Sequence, residues 1–82
     1  MWYVYIIRCC DNTLYTGITN DIKRRVKEHN DKLGGKYTRS RTPVKLVYKE
    51  KFKTRSAASS REMHIKGLTR KRKTALINRT AL

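Results

Sequence analysis

Trp2-Tyr3-Val4-Tyr5-Ile6-Ile7-Arg8 and Leu14-Tyr15-Thr16-Gly17-Ile18 flank the short polar stretch Cys10-Asp11-Asn12-Thr13. The first run is rich in aromatic and β-branched residues, which suit a half-buried strand. The Asp-Asn pair after it supplies turn chemistry, and Leu14 to Ile18 reads as a second strand. Together the two runs make a β-hairpin.

Downstream, from Asn20-Asp21, the pattern changes to helical spacing. Ile22, Val26 and Leu33 fall roughly on one side, and Asn20 or Asp21 is placed to cap the exposed amides. Gly34-Gly35 stops this helix, and Lys36–Pro43 reads as a polar basic loop. Val44–Phe52 follows, with Val44, Leu46 and Tyr48 alternating against Lys45, Val47 and Lys49, the mark of a third strand. Thr54–Leu68 and Arg70–Ile77 read as two helices split near Gly67-Leu68-Thr69. The order ββαβαα predicts an α+β fold, a small three-stranded antiparallel sheet flanked by helices. At 82 residues the chain is expected to form one domain over residues 1–82, since shorter elements must share a single core at this size.

Charge is the most informative bulk property. Lys and Arg number 21 against 6 Asp and Glu, a formal net charge of +15, so the field of the molecule attracts polyanions. A phosphate backbone is the natural partner, although ribosomal proteins, chromatin proteins and membrane-surface binders share the property. No apolar run approaches the ~20 residues needed to cross a bilayer, and Met1 leads into a strand-like segment without a basic leader or cleavage site. A soluble cytoplasmic protein, acting as a monomer, is the expectation. Cys9 and Cys10 are adjacent, which makes a poor disulfide staple and lacks zinc-site spacing, so both are expected to be reduced.

Tyr3-Val4-Tyr5 and Tyr15-Thr16-Gly17 place two tyrosine-containing triplets on the hairpin. Arg25 and His29 follow on the first helix, one turn apart and so on one face. Far downstream, Glu62 is the only carboxylate between Glu50 and the C-terminus. These four elements, in this order and at these intervals, resemble the signature of the GIY-YIG nuclease superfamily, and in detail its small single-domain, UPF0213-type members. The similarity runs from Trp2 to about Asn78. The chain departs from the pattern at Tyr3, which stands where the family has glycine, and at Val4 and Thr16, which replace the usual middle isoleucines.

The resemblance implies an active site of Tyr5, Tyr15, Arg25, His29 and Glu62, and a nuclease acting on nucleic acid, DNA in preference to RNA. Glu62 would hold a hard divalent cation, Mg²⁺ or Mn²⁺, completed by water and phosphate oxygens. Arg25 would clamp the phosphate, and His29 would shuttle a proton or orient Tyr5 or the water. A tyrosine hydroxyl, with an ordinary pKa of about 10, is a poor base unless its phenolate is stabilised. Dense positive charge, Arg25 and a metal ion are expected to push that value down.

Strand parity supplies a geometric test. Tyr5 and Tyr15 share a face only if the hairpin loop holds an odd number of residues or a bulge shifts the register. Each residue also has a purely structural reading. Strand tyrosines usually pack, and Tyr3 and Tyr48 are assigned to packing, while Tyr37 is open between packing and substrate contact. His29 would otherwise be an ordinary, partly exposed helix histidine. Glu62 fits a capping box with Ser59, and it fits an ion pair with Lys66. Arg70-Lys71-Arg72-Lys73 forms a phosphate-facing or solvated face, and Asn78 adds a polar contact. The rival function is a non-catalytic module in which basic faces grip phosphate and aromatic rings stack on bases. A third is a subunit of a ribonucleoprotein. With no separate targeting domain expected, shape or strand ends would be selected in preference to sequence.

Overall fold

The computed structural model describes residues 1–79, so the last three residues of the expected 1–82 unit lie outside the described residues. Strands β1 (Trp2–Arg8), β2 (Leu14–Thr19) and β3 (Lys45–Phe52) form one antiparallel sheet in the order β2-β1-β3. Helices α1 (Ile22–Asn30) and α2 (Lys36–Arg39) follow the hairpin, and α3 (Arg55–Lys66) and α4 (Arg70–Arg79) follow β3. The α+β class and the ββαβαα order both hold, with α2 as an addition inside the segment expected to be loop.

Val4, Tyr5, Ile6 and Ile7 of the central strand are all buried, because β1 is covered on both faces. Val4 and Ile6 pack with Tyr48, Ala58, Ile65 and Ile77, which puts α3 and α4 behind one face. Tyr5 and Ile7 join Cys9, Val44, Ile22 and Val26, which puts α1 over the other. The simple alternation expected along β3 fails at one point. A register shift opposite Ile6 and Ile7 pairs them with Tyr48 and Leu46, so Val47 is skipped. An extra residue reverses side-chain parity, and Leu46 therefore faces α1 while Tyr48 faces α3.

The hairpin closes through residues 9–13. Cys9 and Thr13 pair through a 2.8 Å backbone hydrogen bond, and Asp11 accepts from the Thr13 amide at 3.2 Å and hydroxyl at 2.6 Å. Asn12 adopts φ 70°, the left-handed conformation that Asn tolerates in turns. Cys9 is buried and Cys10 exposed, and both are free thiols.

Asp21 is the residue that caps α1, accepting from the Arg24 amide at 3.1 Å. The helix ends at Asn30, short of the expected Gly34-Gly35 stop, and Leu33 is 73% exposed instead of joining Ile22 and Val26 in the core. The Asn30 side chain explains part of this, since it accepts from the Val44 amide at 2.7 Å and donates to the Val44 carbonyl, tying the helix end to the start of β3. Thr54 caps α3 by accepting from the Ala57 amide at 3.1 Å, which leaves Ser59 to Glu62 inside the helix and rules out the capping-box reading of Glu62. At the start of α4, Arg70 donates to the Asn12 carbonyl at 2.8 Å and locks that helix to the hairpin turn.

Candidate active site

Five residues separate the paired ends Arg8 and Leu14, and the register sets Tyr5 opposite Gly17 and Ile7 opposite Tyr15. The odd loop length therefore puts Tyr5, Ile7, Tyr15 and Gly17 on one face, as the parity test required. Gly17 leaves the room that Tyr5 occupies: a Cβ there would meet the Tyr5 hydroxyl at 2.6 Å and the ring carbon beneath it at 2.8 Å. The Tyr5 ring thus crosses the edge strand at a residue with no side chain, which carries its hydroxyl toward the rim of the sheet.

His29 comes from the last turn of α1 and is fully buried, with 0% exposure, so the reading of a partly exposed helix histidine does not hold. Its Nε2 is hydrogen-bonded to the Tyr5 hydroxyl at 2.9 Å and its Nδ1 to the Thr38 hydroxyl at 2.8 Å. The chain after α1 folds back over the ring so closely that a Cβ on Gly34 would lie 2.6 Å from His29 Cγ. Burial, helped by the charge of Arg25 and opposed by Glu28, lowers the proton affinity of His29 below the ordinary imidazole value. The imidazole is accordingly neutral at neutral pH.

Arg25, one turn before His29, donates to Glu28 at 3.0 Å and to the Gly34 carbonyl at 3.0 Å, close enough to the Tyr5 hydroxyl for its charge to act there. These contacts fix the guanidinium in place. Arg25 was expected to depress the tyrosine pKa, and it does act in that direction on Tyr5. Burial is the larger effect and pushes Tyr5 up to about 12, with the charges of Tyr15 and Glu62 adding to it. Of the protein's own groups, burial outweighs Arg25, because desolvation of a buried phenolate exceeds the effect of one nearby cation.

Tyr15 is half-buried and held by its ring, edge-on to His29 at 5.4 Å and stacked on Tyr37 at 5.7 Å. Tyr37 is 42% exposed and carries the Arg41 guanidinium 4.4 Å above its ring. The packing reading of Tyr37 therefore holds, with the residue still accessible.

Glu62 sits on α3, which packs on all three strands. Its carboxylate is near enough to the Tyr5 hydroxyl for its charge to oppose ionisation there. Its side chain is 17% exposed, with a loose 3.6 Å pairing to Lys66. Among the described residues no group of three or more His, Cys, Asp or Glu could hold a metal ion. One carboxylate at a water-accessible rim, with the imidazole engaged elsewhere, does not suit zinc. It does suit a hard cation that keeps most of its waters and shares phosphate oxygens.

Beside Tyr5, the same sheet face continues through Tyr3 and the cross-strand partners Lys49 and Lys51, which line an open hollow of about 350 Å³. On the far side of the sheet, Arg61, Arg72 and Arg79 line a hollow of about 330 Å³ between α3 and α4. Arg61 is held there by Glu50, which also receives the Tyr48 hydroxyl. Arg70 is a structural tie to the hairpin turn, and Asn78 stands exposed.

Thr38, Gly34 and Tyr37 belong to the site but carry no signal in the sequence pattern. Gly34 reads as a helix stop and the other two as loop residues, because their partners are reached by a chain reversal that periodicity does not report.

Residues 1–75 match the family model described as the GIY-YIG catalytic domain. A UPF0213 protein of Haloquadratum walsbyi is 61% identical over 74 residues, covering 90% of this chain and 83% of that protein. Another, from Clostridium perfringens, is 55% identical over 78 residues, covering 95% and 84%. Among solved structures, the solution structure of a UPF0213 protein from Bacillus halodurans superposes with a TM-score of 0.64 at 40% identity, covering 99% of this chain and 87% of that one. A second, from E. faecalis, has a TM-score of 0.58 at 45% identity, covering 87% and 76%.

Proposed function

Since the chain belongs to the GIY-YIG catalytic-domain family, we propose that it is a divalent-metal-dependent endonuclease that hydrolyses phosphodiester bonds in nucleic acid, DNA in preference to RNA. The observation that carries this reading is the junction at the Tyr5 hydroxyl. There His29 is hydrogen-bonded and the charges of Arg25 and Glu62 are felt, and Tyr5 shares its sheet face with Tyr15. Hydrolysis needs an activated water, a stabiliser for charge growing on the phosphoryl oxygens and relief for the leaving alkoxide.

Tyr5 is the better candidate for the base, because polar partners converge on its oxygen. Tyr15, nearer the surface, orients the attacking water against the phosphate. Arg25, pinned by Glu28 and Gly34, offers its remaining donors to the phosphate. Glu62 would hold Mg²⁺ or Mn²⁺, which when bound supplies Lewis acidity toward the phosphate and positive charge that favours a phenolate. Lys49 and Lys51 extend a cationic surface from this centre along the sheet, suited to the backbone on either side of the scissile bond. No helix among the described residues is long and apolar enough to cross a membrane.

The test is cleavage of labelled single-stranded, duplex and branched DNA with and without Mg²⁺ or Mn²⁺, by the wild type and by Glu62→Ala. Metal-dependent cutting that falls at least 100-fold in the variant, about the loss expected when one transition-state stabiliser is removed, with DNA binding retained, is the expected result. Binding without cutting under every metal condition would establish a non-catalytic module instead.

A further inference from the structure

Tyr3 lies two residues before Tyr5 on the central strand, opposite Thr19 on β2 and Lys51 on β3, so it takes the same sheet face as Tyr5. The two positions are about 7 Å apart along the strand, comparable to one nucleotide of an extended chain. Tyr3 is half-buried, yet unlike Tyr5 and Tyr48 it belongs to neither buried cluster. Among the described residues its ring pairs with no other aromatic ring and with no cation. It borders the open hollow of about 350 Å³ together with Lys49 and Lys51, a size at the small end of ligand clefts.

Both lysines are exposed and left without a carboxylate. Each of the 6 Asp and Glu side chains has another partner, and the one nearest in sequence, Glu50, is turned to the opposite face by Arg61 and Tyr48. Two uncompensated ammonium groups beside a ring that no neighbour stacks on match the two parts of a nucleotide. The charges suit its phosphates, and the ring suits the flat face of its base.

We propose that Tyr3, Lys49 and Lys51 form a subsite for an unpaired nucleotide one step from the scissile phosphate, which makes the substrate class nucleic acid that is single-stranded beside the cut. The place of the cut rests on the nuclease reading above. The lysines hold phosphate in any strand, paired or not, and the ring discriminates. A base inside a duplex is already stacked on its neighbours and reaches a side chain only by being extruded, at the cost of its pairing and stacking. An unpaired base meets no such cost, and its stacking on tyrosine tolerates any base identity. Strand state, and not sequence, is what this face reads.

The test uses the full chain without divalent metal, so that no strand is cut, and follows binding by fluorescence anisotropy. Three probes of equal length are compared: a thymidine strand, an abasic sugar–phosphate strand and a duplex. Wild type should bind the thymidine strand about 10-fold more tightly than the abasic one, the scale of one base–aromatic stack. Tyr3→Leu should abolish that preference while binding to the other two probes, and the salt slope, stay unchanged, since no charge is lost. Tyr3→Phe keeps the ring and should behave as wild type. Lys49→Gln with Lys51→Gln should weaken all three probes and flatten the slope. Equal wild-type affinity for the thymidine and abasic strands, or a folded Tyr3→Leu that keeps the preference, overturns the proposal. If Tyr3→Leu does not fold, a strand carrying 5-iodouracil and cross-linked by light to the wild type decides it, with attachment at Tyr3 expected and attachment only elsewhere overturning it. If Mg²⁺ or Mn²⁺ then brings no cutting of any probe, the nuclease reading fails while the anisotropy still decides the subsite.

Discussion

At Gly17 a single hydrogen stands where a methyl would meet the Tyr5 hydroxyl at 2.6 Å. The Tyr5 ring cannot retreat easily, because its own hydroxyl is tied to His29 and the residue is buried among Ile7, Cys9 and Val44. Gly17→Ala should therefore displace the phenol from its partners. A shift on the order of 1 Å costs about 100-fold in rate, and overpacking costs about 1–3 kcal/mol of stability. Cleavage kinetics and a denaturant titration on the same preparation check both. A variant with wild-type kcat would mean that the Tyr5 position is irrelevant to the chemistry. Tyr5 and Gly17 were both legible in the sequence as parts of the two triplets. Their dependence on each other was not, because it is a cross-strand contact whose register is set by the length of the turn. The proton affinity of Tyr5 is hidden for a related reason: charge can be counted in a sequence, whereas burial is created only when α1 and the sheet close over the ring.

Among the elements, α1 shows how far periodicity can carry. Ile22 and Val26 reach the core as their spacing predicts, but the helix stops at Asn30, whose side chain pairs with the backbone of Val44. The five residues after it turn the chain back, bring Gly34 against His29 and start α2 at Lys36. Leu33 rides outside this reversal. Leu33→Lys should therefore change stability by no more than about 0.5 kcal/mol, as for an ordinary surface position. Had the helix run on to bury Leu33, the loss would be in the range of about 2–5 kcal/mol seen for core truncations. Thermal melts of the two proteins under one buffer condition separate these outcomes. The helix α2, only four residues long, has no periodic signature to read, yet it delivers Tyr37 to Tyr15 and Thr38 to His29. The bulge in β3 was hidden for the opposite reason, since Val44, Leu46 and Tyr48 alternate perfectly and only the pairing with Ile6 and Ile7 reveals that one residue is skipped.

For the whole molecule the governing quantity is the net charge of +15. Binding to duplex DNA should weaken steeply with salt, with log affinity falling by about 0.9 for each phosphate neutralised per decade of salt. Lys49 and Lys51 flank the site on its own sheet face, so Lys49→Gln with Lys51→Gln should flatten that slope by about 2 units, roughly one for each phosphate contact removed. Titrations at several salt concentrations measure it, and an unchanged slope would move the nucleic-acid track elsewhere on the surface. The net positive charge, the hairpin, the α+β class and the motif residues Tyr5, Tyr15, Arg25, His29 and Glu62 could all be read from the chain, because composition, strand-forming residues, turn chemistry and the order of the motifs are local properties. What only the tertiary structure decided is which face each strand residue takes beyond the bulge, that His29 is enclosed between Tyr5 and Thr38, and that burial outweighs Arg25 at the Tyr5 hydroxyl. Those outcomes depend on distances between residues remote in sequence and on the exclusion of water around them, and neither exists until the helices pack onto the sheet.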